Sequence, residues 1–203
     1  MASTLGHALC GIDCLMVGRM IAPHYVTRFS VPLVFAAVFL ANAPDLDLLV
    51  GPLIGEHHHY FHGQATHSIV FALLAGAIFW LVGRVFGIDE KKNRFFALLV
   101  GFGLMSHVAV DWFTGPNPGW HPSFGTVVLW PFVDARIHSP LTLFLGPHHG
   151  SMEEFLSLHN LWVMVREVII FGGFGLIVWL MSKDIREQTK QLVVNVFSGN
   201  FRE

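Results

Sequence analysis

Residues 69–86 run through eighteen positions with one charge, Arg84, near the far end. Residues 95–113 are apolar except for Ser106, His107 and Asp111, and residues 161–181 except for Arg166 and Glu167, one turn inside the expected start of that helix. Each run is close to the roughly 20 residues that cross a bilayer core as a helix. A fourth run, 29–40, is shorter but continues through Ala41 and Ala43 to Leu53, interrupted by Asp45 and Asp47. Residues 4–21 are moderately apolar and carry His7, Asp13 and Arg19. That segment has no basic leader and no unbroken apolar stretch, so it does not read as a cleaved signal peptide. Lipid offers the backbone no hydrogen-bond partner, so spanning segments are helices or closed barrels. The period-2 alternation of a barrel is absent. The predicted fold is therefore an all-α polytopic membrane protein of four to five transmembrane helices. Residues 1–182 form one helical membrane domain, and 183–203 form a tail.

Charge sharpens this reading. Only 13% of the chain is charged, about half the roughly 25% of a soluble domain. With 12 Lys+Arg against 14 Asp+Glu and no basic stripe, no nucleic-acid-binding surface is evident. Two cysteines rule out a disulfide scaffold. Basic residues collect in the expected loops 19–28 and 84–94 and after residue 182, whereas segments 42–66 and 114–160 hold one between them, Arg136. The positive-inside rule then puts those two segments outside and the C-terminus in the cytoplasm. The outer regions also hold nearly all of the 13 histidines, a count that exceeds Lys and Arg combined.

Polar groups at membrane depth are costly and usually functional. Four clusters fall near the same predicted membrane face. His7 opens the first helix. Asn42-Ala-Pro-Asp45-Leu-Asp47 ends the second, with two carboxylates and no Lys or Arg beside them; a cation would relieve their repulsion. His62 and His67 precede the 69–86 helix, where Thr66 or Ser68 could cap it. His107 and Asp111 are i and i+4 on one helix face; they could share a metal, or Asp111 could orient His107. Imidazole with carboxylate and without thiolate suits catalytic zinc, manganese or iron rather than a closed structural zinc site. Cys10 and Cys14 lie one turn apart on the first helix and read as packing. The His57-His58-His59 run reads as a polar loop or an adventitious metal binder.

The order of these elements resembles the YdjM-type family of LexA-regulated, inner-membrane, metal-dependent hydrolases. The resemblance rests on His7, Pro44-Asp45-Leu46-Asp47, His62 with Thr66-His67-Ser68, Ser106-His107 with Asp111-Trp112 and Thr114, and Leu129-Trp130-Pro131-Phe132. It covers roughly residues 1–140. A more remote likeness is to the helical zinc-dependent phospholipase C and single-strand nuclease group. The resemblance implies a multi-pass protein of a bacterial-type inner membrane with a divalent metal, zinc foremost. It implies metal ligands at His7, Asp45, Asp47, His62, His67, His107 and Asp111. Gly63 departs from the family pattern, which leads one to expect a basic residue there. His121, His138, and the pair His149 and Glu153, spaced i and i+4 as on one helix face, could add ligands.

The resulting expectation is a membrane-bound hydrolase of a lipid or lipid-linked phosphoester. Asp45 or Asp47 would orient or deprotonate a water whose pKa a metal lowers to about 7. Aromatic residues at Trp112, Phe113, Trp120 and Trp130 suit an interface belt. A metal-ion transporter and a bis-histidine haem protein remain alternatives. No nucleophile elbow and no P-loop are present.

Overall fold

The computed structural model describes residues 1–56, 61–116 and 125–198. The His57-His58-His59 run, Trp120 and His121 lie outside the described residues. The chain is helical in the order α1 (Thr4–Ile21), α2 (Val31–Asn42), a 3-10 turn (Ala43–Leu49), α3 (Val50–Leu53), a second 3-10 turn (Ala65–His67), α4 (Ile69–Val85), α5 (Glu90–Trp112), α6 (Met152–Phe155), α7 (Leu158–Met181) and α8 (Lys183–Phe197). Four stretches are long and apolar enough to cross a membrane: Thr4–Ile21, Val31–Leu53, Glu90–Trp112 and Met152–Met181. Ile69–Val85 is a fifth, shorter apolar helix. The predicted all-α membrane fold is thus the observed one.

Capping residues set the helix starts. Ser3, Ser68, Asp89, Ser157 and Ser182 each accept a backbone N–H from the first turn of α1, α4, α5, α7 and α8, satisfying donors that a helix cannot pair internally. The Asp89 cap moves one boundary. Glu90 to Arg94, expected in a loop, are the first turn of α5. The expected tail is mostly the helix α8. Its start is tied to α1, because buried Arg19 bonds the carbonyls of Pro23 and Val26 and pairs with Asp184.

The outward faces are apolar: Leu73, Ile78, Leu98, Phe102, Ile169 and Ile177 are all exposed, as lipid-facing positions are. Helices meeting in lipid pack through small residues. A Cβ on Gly11 would stand 2.6 Å from the Ala37 carbonyl and 2.7 Å from the Ala41 Cβ, so glycine there lets α1 and α2 touch. Gly76 does the same between α4 and α5, where a Cβ would meet the Ala97 carbonyl at 2.9 Å. α1 also packs on α5 and α7. Successive helices run in opposite directions, so α1, α4 and α7 begin at the end of the bundle where α2 and α5 finish. The 125–144 segment lies over that end. It is held by an antiparallel bridge between Thr126 and Ile137 and a parallel one between Thr114 and Phe144.

Candidate metal centre

The first turns of α1, the two 3-10 turns and the end of α5 bring donors to this common end. His7 lies one turn into α1, Asp45 and Asp47 on the 3-10 turn after α2, and His67 just before α4. His107 and Asp111 lie in the last turns of α5. His7, Asp47, His67, His107 and Asp111 are buried, and the Asp45 side chain is 25% exposed. Three overlapping groups could hold a metal ion: His7, His107 and Asp111; Asp45, His67 and His107; and Asp47, His62 and His67. All seven sequence-predicted donors therefore converge.

The tautomers follow from the hydrogen bonds. His107 Nδ1 lies 2.8 Å from the Ala41 carbonyl. A carbonyl only accepts, so Nδ1 carries the hydrogen and the neutral ring presents its Nε2 lone pair. That Nε2 faces Asp45 Oδ1 at 3.4 Å and Asp111 Oδ2 at 3.3 Å. His67 Nδ1 is 3.0 Å from Thr66 Oγ1 and 3.3 Å from Asp47 Oδ2. Its Nε2 faces Asp45 Oδ1 at 3.3 Å and Asp111 Oδ2 at 3.6 Å. Asp47 is fully engaged. Its Oδ1 pairs with His62 Nδ1 at 2.7 Å, and its Oδ2 accepts from Thr66 Oγ1 at 2.6 Å.

The four atoms His67 Nε2, His107 Nε2, Asp45 Oδ1 and Asp111 Oδ2 thus form a ring of contacts at 3.3–3.6 Å. These edges match the roughly 3.3–3.6 Å between donors about 2.0–2.2 Å from a zinc ion, and the donors fall into overlapping sets of three, Asp45 with His67 and His107 and Asp111 with His7 and His107. His7 adds Nε2 at 3.3 Å from Asp111 Oδ1. Both His7 nitrogens, His107 Nε2 and Asp111 Oδ2 are buried without a hydrogen bond. Buried polar atoms are rarely left so. The residues present therefore fit a divalent cation. The His7 and His107 rings stack at 3.7 Å and 16°, which leaves no gap for the porphyrin plane of a bis-histidine haem between those two residues.

Sequence reasoning missed a support beneath these donors. Glu167, completely buried, sits more than two turns inside α7, not one turn inside its start, because the helix begins at Leu158. It accepts the Ser3 N–H at 2.9 Å and the Ser3 hydroxyl. Gly6 makes room for it, since a Cβ there would lie 2.7 Å from the Glu167 carboxyl carbon. Beside it, the Ala2 N–H donates to Asp111 Oδ1 at 2.9 Å. A lone carboxylate in an apolar helix was the signal available. Other expectations fail to join the cluster. No donor group among the described residues includes Cys10, Cys14, His138, His149 or Glu153. The expected i, i+4 face of His149 and Glu153 does not exist, because Ser151 caps α6 and the helix starts only at Met152. His159 instead bonds the Gly146 carbonyl at 3.0 Å and stacks on His148.

The family described as YdjM inner membrane protein matches residues 1–185, a longer stretch than the motifs alone cover. No curated protein and no solved structure matches.

Burial opposes protonation of His67, but the Asp45 and Asp47 carboxylates outweigh it and hold its pKa above the ordinary histidine value. In metal-stripped protein, NMR titration should find His67 protonating above an ordinary histidine. Asp47→Asn should bring that midpoint down, because it removes one of the two carboxylates. A midpoint that does not move would show that Asp47 does not act on this ring.

Proposed function

The chain belongs to the YdjM inner membrane protein family, and on that premise we propose that it is a membrane-bound, metal-dependent hydrolase of a phosphoester, with zinc the first choice of cation. The overlapping donor groups of His7, His107 and Asp111 and of Asp45, His67 and His107 carry the reading. A divalent cation held there supplies Lewis acidity toward a phosphoryl oxygen and a water acidic enough to react near neutral pH. His67 and His107 offer Nε2 because Asp47, Thr66 and the Ala41 carbonyl fix their other faces, the arrangement that orients metal-bound imidazoles. Asp111 and His7 complete the shell.

The two sequence candidates for proton transfer then take different roles. Asp47 spends both oxygens on His62, Thr66 and His67, so it is a positioning residue. Asp45, 25% exposed against 3% for Asp47, is the carboxylate open to solvent and takes the water's proton. The donors share one end of the bundle and do not form a column through it, which favours reaction there over ion transit. A site at the end of a membrane bundle suits a lipid or lipid-linked substrate. The distribution of Lys and Arg supports an extracytoplasmic site and a cytoplasmic C-terminus.

Purified protein should carry a divalent metal by elemental analysis, and His107→Ala should lose most of it. Asp45→Asn should slow phosphodiester hydrolysis by roughly 100-fold or more. Full metal occupancy in His107→Ala, or undiminished turnover in Asp45→Asn, would overturn the assignment. For sidedness, reporters fused after Glu203 and within residues 133–150 should give opposite signals; matching signals would refute the orientation.

A further inference from the structure

Arg136 is the one Lys or Arg in segments 42–66 and 114–160, and the structure sets it against the backbone of His62, whose side chain belongs to one of the donor groups. It follows the 125–128 strand of backbone, which braces the His62–His67 turn. Val127 N–H donates to the Gly63 carbonyl at 3.4 Å, Thr126 Oγ1 to the His67 carbonyl at 3.3 Å, and Ile69 N–H to the Val128 carbonyl at 3.0 Å. The Thr126–Ile137 bridge then returns the chain so that the Arg136 guanidinium reaches back. Its Nη2 donates to the His62 carbonyl at 2.9 Å and its Nη1 to the Gly125 carbonyl at 3.2 Å.

Gly63 makes the seat. It has φ +74, and a Cβ there would stand 2.7 Å from Arg136 Nη1. The position where a basic residue was expected is thus filled by a guanidinium from a distant part of the chain. The charge lies on the backbone of His62, whose ring bonds Asp47 at 2.7 Å. Among the described residues no carboxylate pairs with Arg136, and the residue is exposed. A guanidinium has five N–H donors. The two carbonyls use two, and the rest form a fixed fork suited to phosphate oxygens.

We infer that Arg136 is the specificity-determining residue of this site: it binds a phosphoryl oxygen of the substrate and selects a phosphoester over an uncharged ester. The inference rests on the hydrolase reading for the reaction but not for the binding. Zinc-loaded full-length protein in detergent is titrated calorimetrically with inorganic phosphate and, separately, with imidazole, a neutral metal ligand. Arg136→Gln should weaken phosphate by roughly tenfold and leave imidazole affinity and zinc content unchanged. Gly63→Ala, which keeps Arg136 but pushes its guanidinium off the two carbonyls, should weaken phosphate selectively by several-fold. An unchanged ratio of the two affinities in either variant that retains zinc overturns the inference. Short-chain phosphatidic acid is titrated alongside. Tighter Arg136-dependent binding than inorganic phosphate assigns a lipid-borne phosphate, and equal binding a soluble one. Arg136-dependent phosphate binding without any hydrolysis removes the reaction and keeps the anion site. Hydrolysis with phosphate affinity indifferent to Arg136 does the reverse.

Discussion

The donor end of this bundle is governed by an electrostatic conflict. Two imidazole nitrogens and two carboxylate oxygens meet along contacts of 3.3–3.6 Å, with His67, His107 and Asp111 buried and Asp45 25% exposed. The Ala41 carbonyl takes the His107 hydrogen on the far side, so the ring cannot turn its N–H toward the carboxylates while neutral. Uncompensated buried charge costs several kcal/mol per ion. A divalent cation held among them would replace the repulsion between carboxylates and imidazole lone pairs with bonds. That single requirement accounts for the buried, unbonded atoms on His7, His107 and Asp111.

The fold meets the requirement through direction and close packing. Alternating helices bring the beginnings of α1, α4 and α7 to the ends of α2 and α5, so residues far apart in sequence share one layer. Gly11 lets α1 lie against α2, one turn from His7. Glu167 on α7 holds Ser3, which fixes the start of α1 and brings the Ala2 N–H to Asp111. Asp47 and Thr66 brace His67 and His62. The 125–137 segment then covers the turn that carries both histidines and contributes Arg136.

Much of this was legible in the sequence. The bilayer-length apolar runs announced helices, because lipid leaves the backbone no other choice. His and Asp at the ends of those runs stood out against so little charge, and all seven predicted donors converge. What stayed hidden depended on three-dimensional return paths. Gly63 read as the loss of a basic residue, when it is the opening through which Arg136 enters. Glu167 read as a charge near a helix start, because the start at Leu158 depends on the Ser157 cap. His149 and Glu153 had the spacing of a helical pair, but Ser151 begins the helix between them. Asp45 and Asp47 looked equivalent, and only the partners of Asp47 distinguish them.

X-ray absorption at the zinc edge of the purified, zinc-loaded protein bears most directly on the central claim. A shell of two or three imidazoles with carboxylate oxygens at about 2.0–2.2 Å, losing one imidazole in His67→Ala, is the expected result. A shell of oxygens alone, or one with sulfur from Cys10 and Cys14, would contradict it.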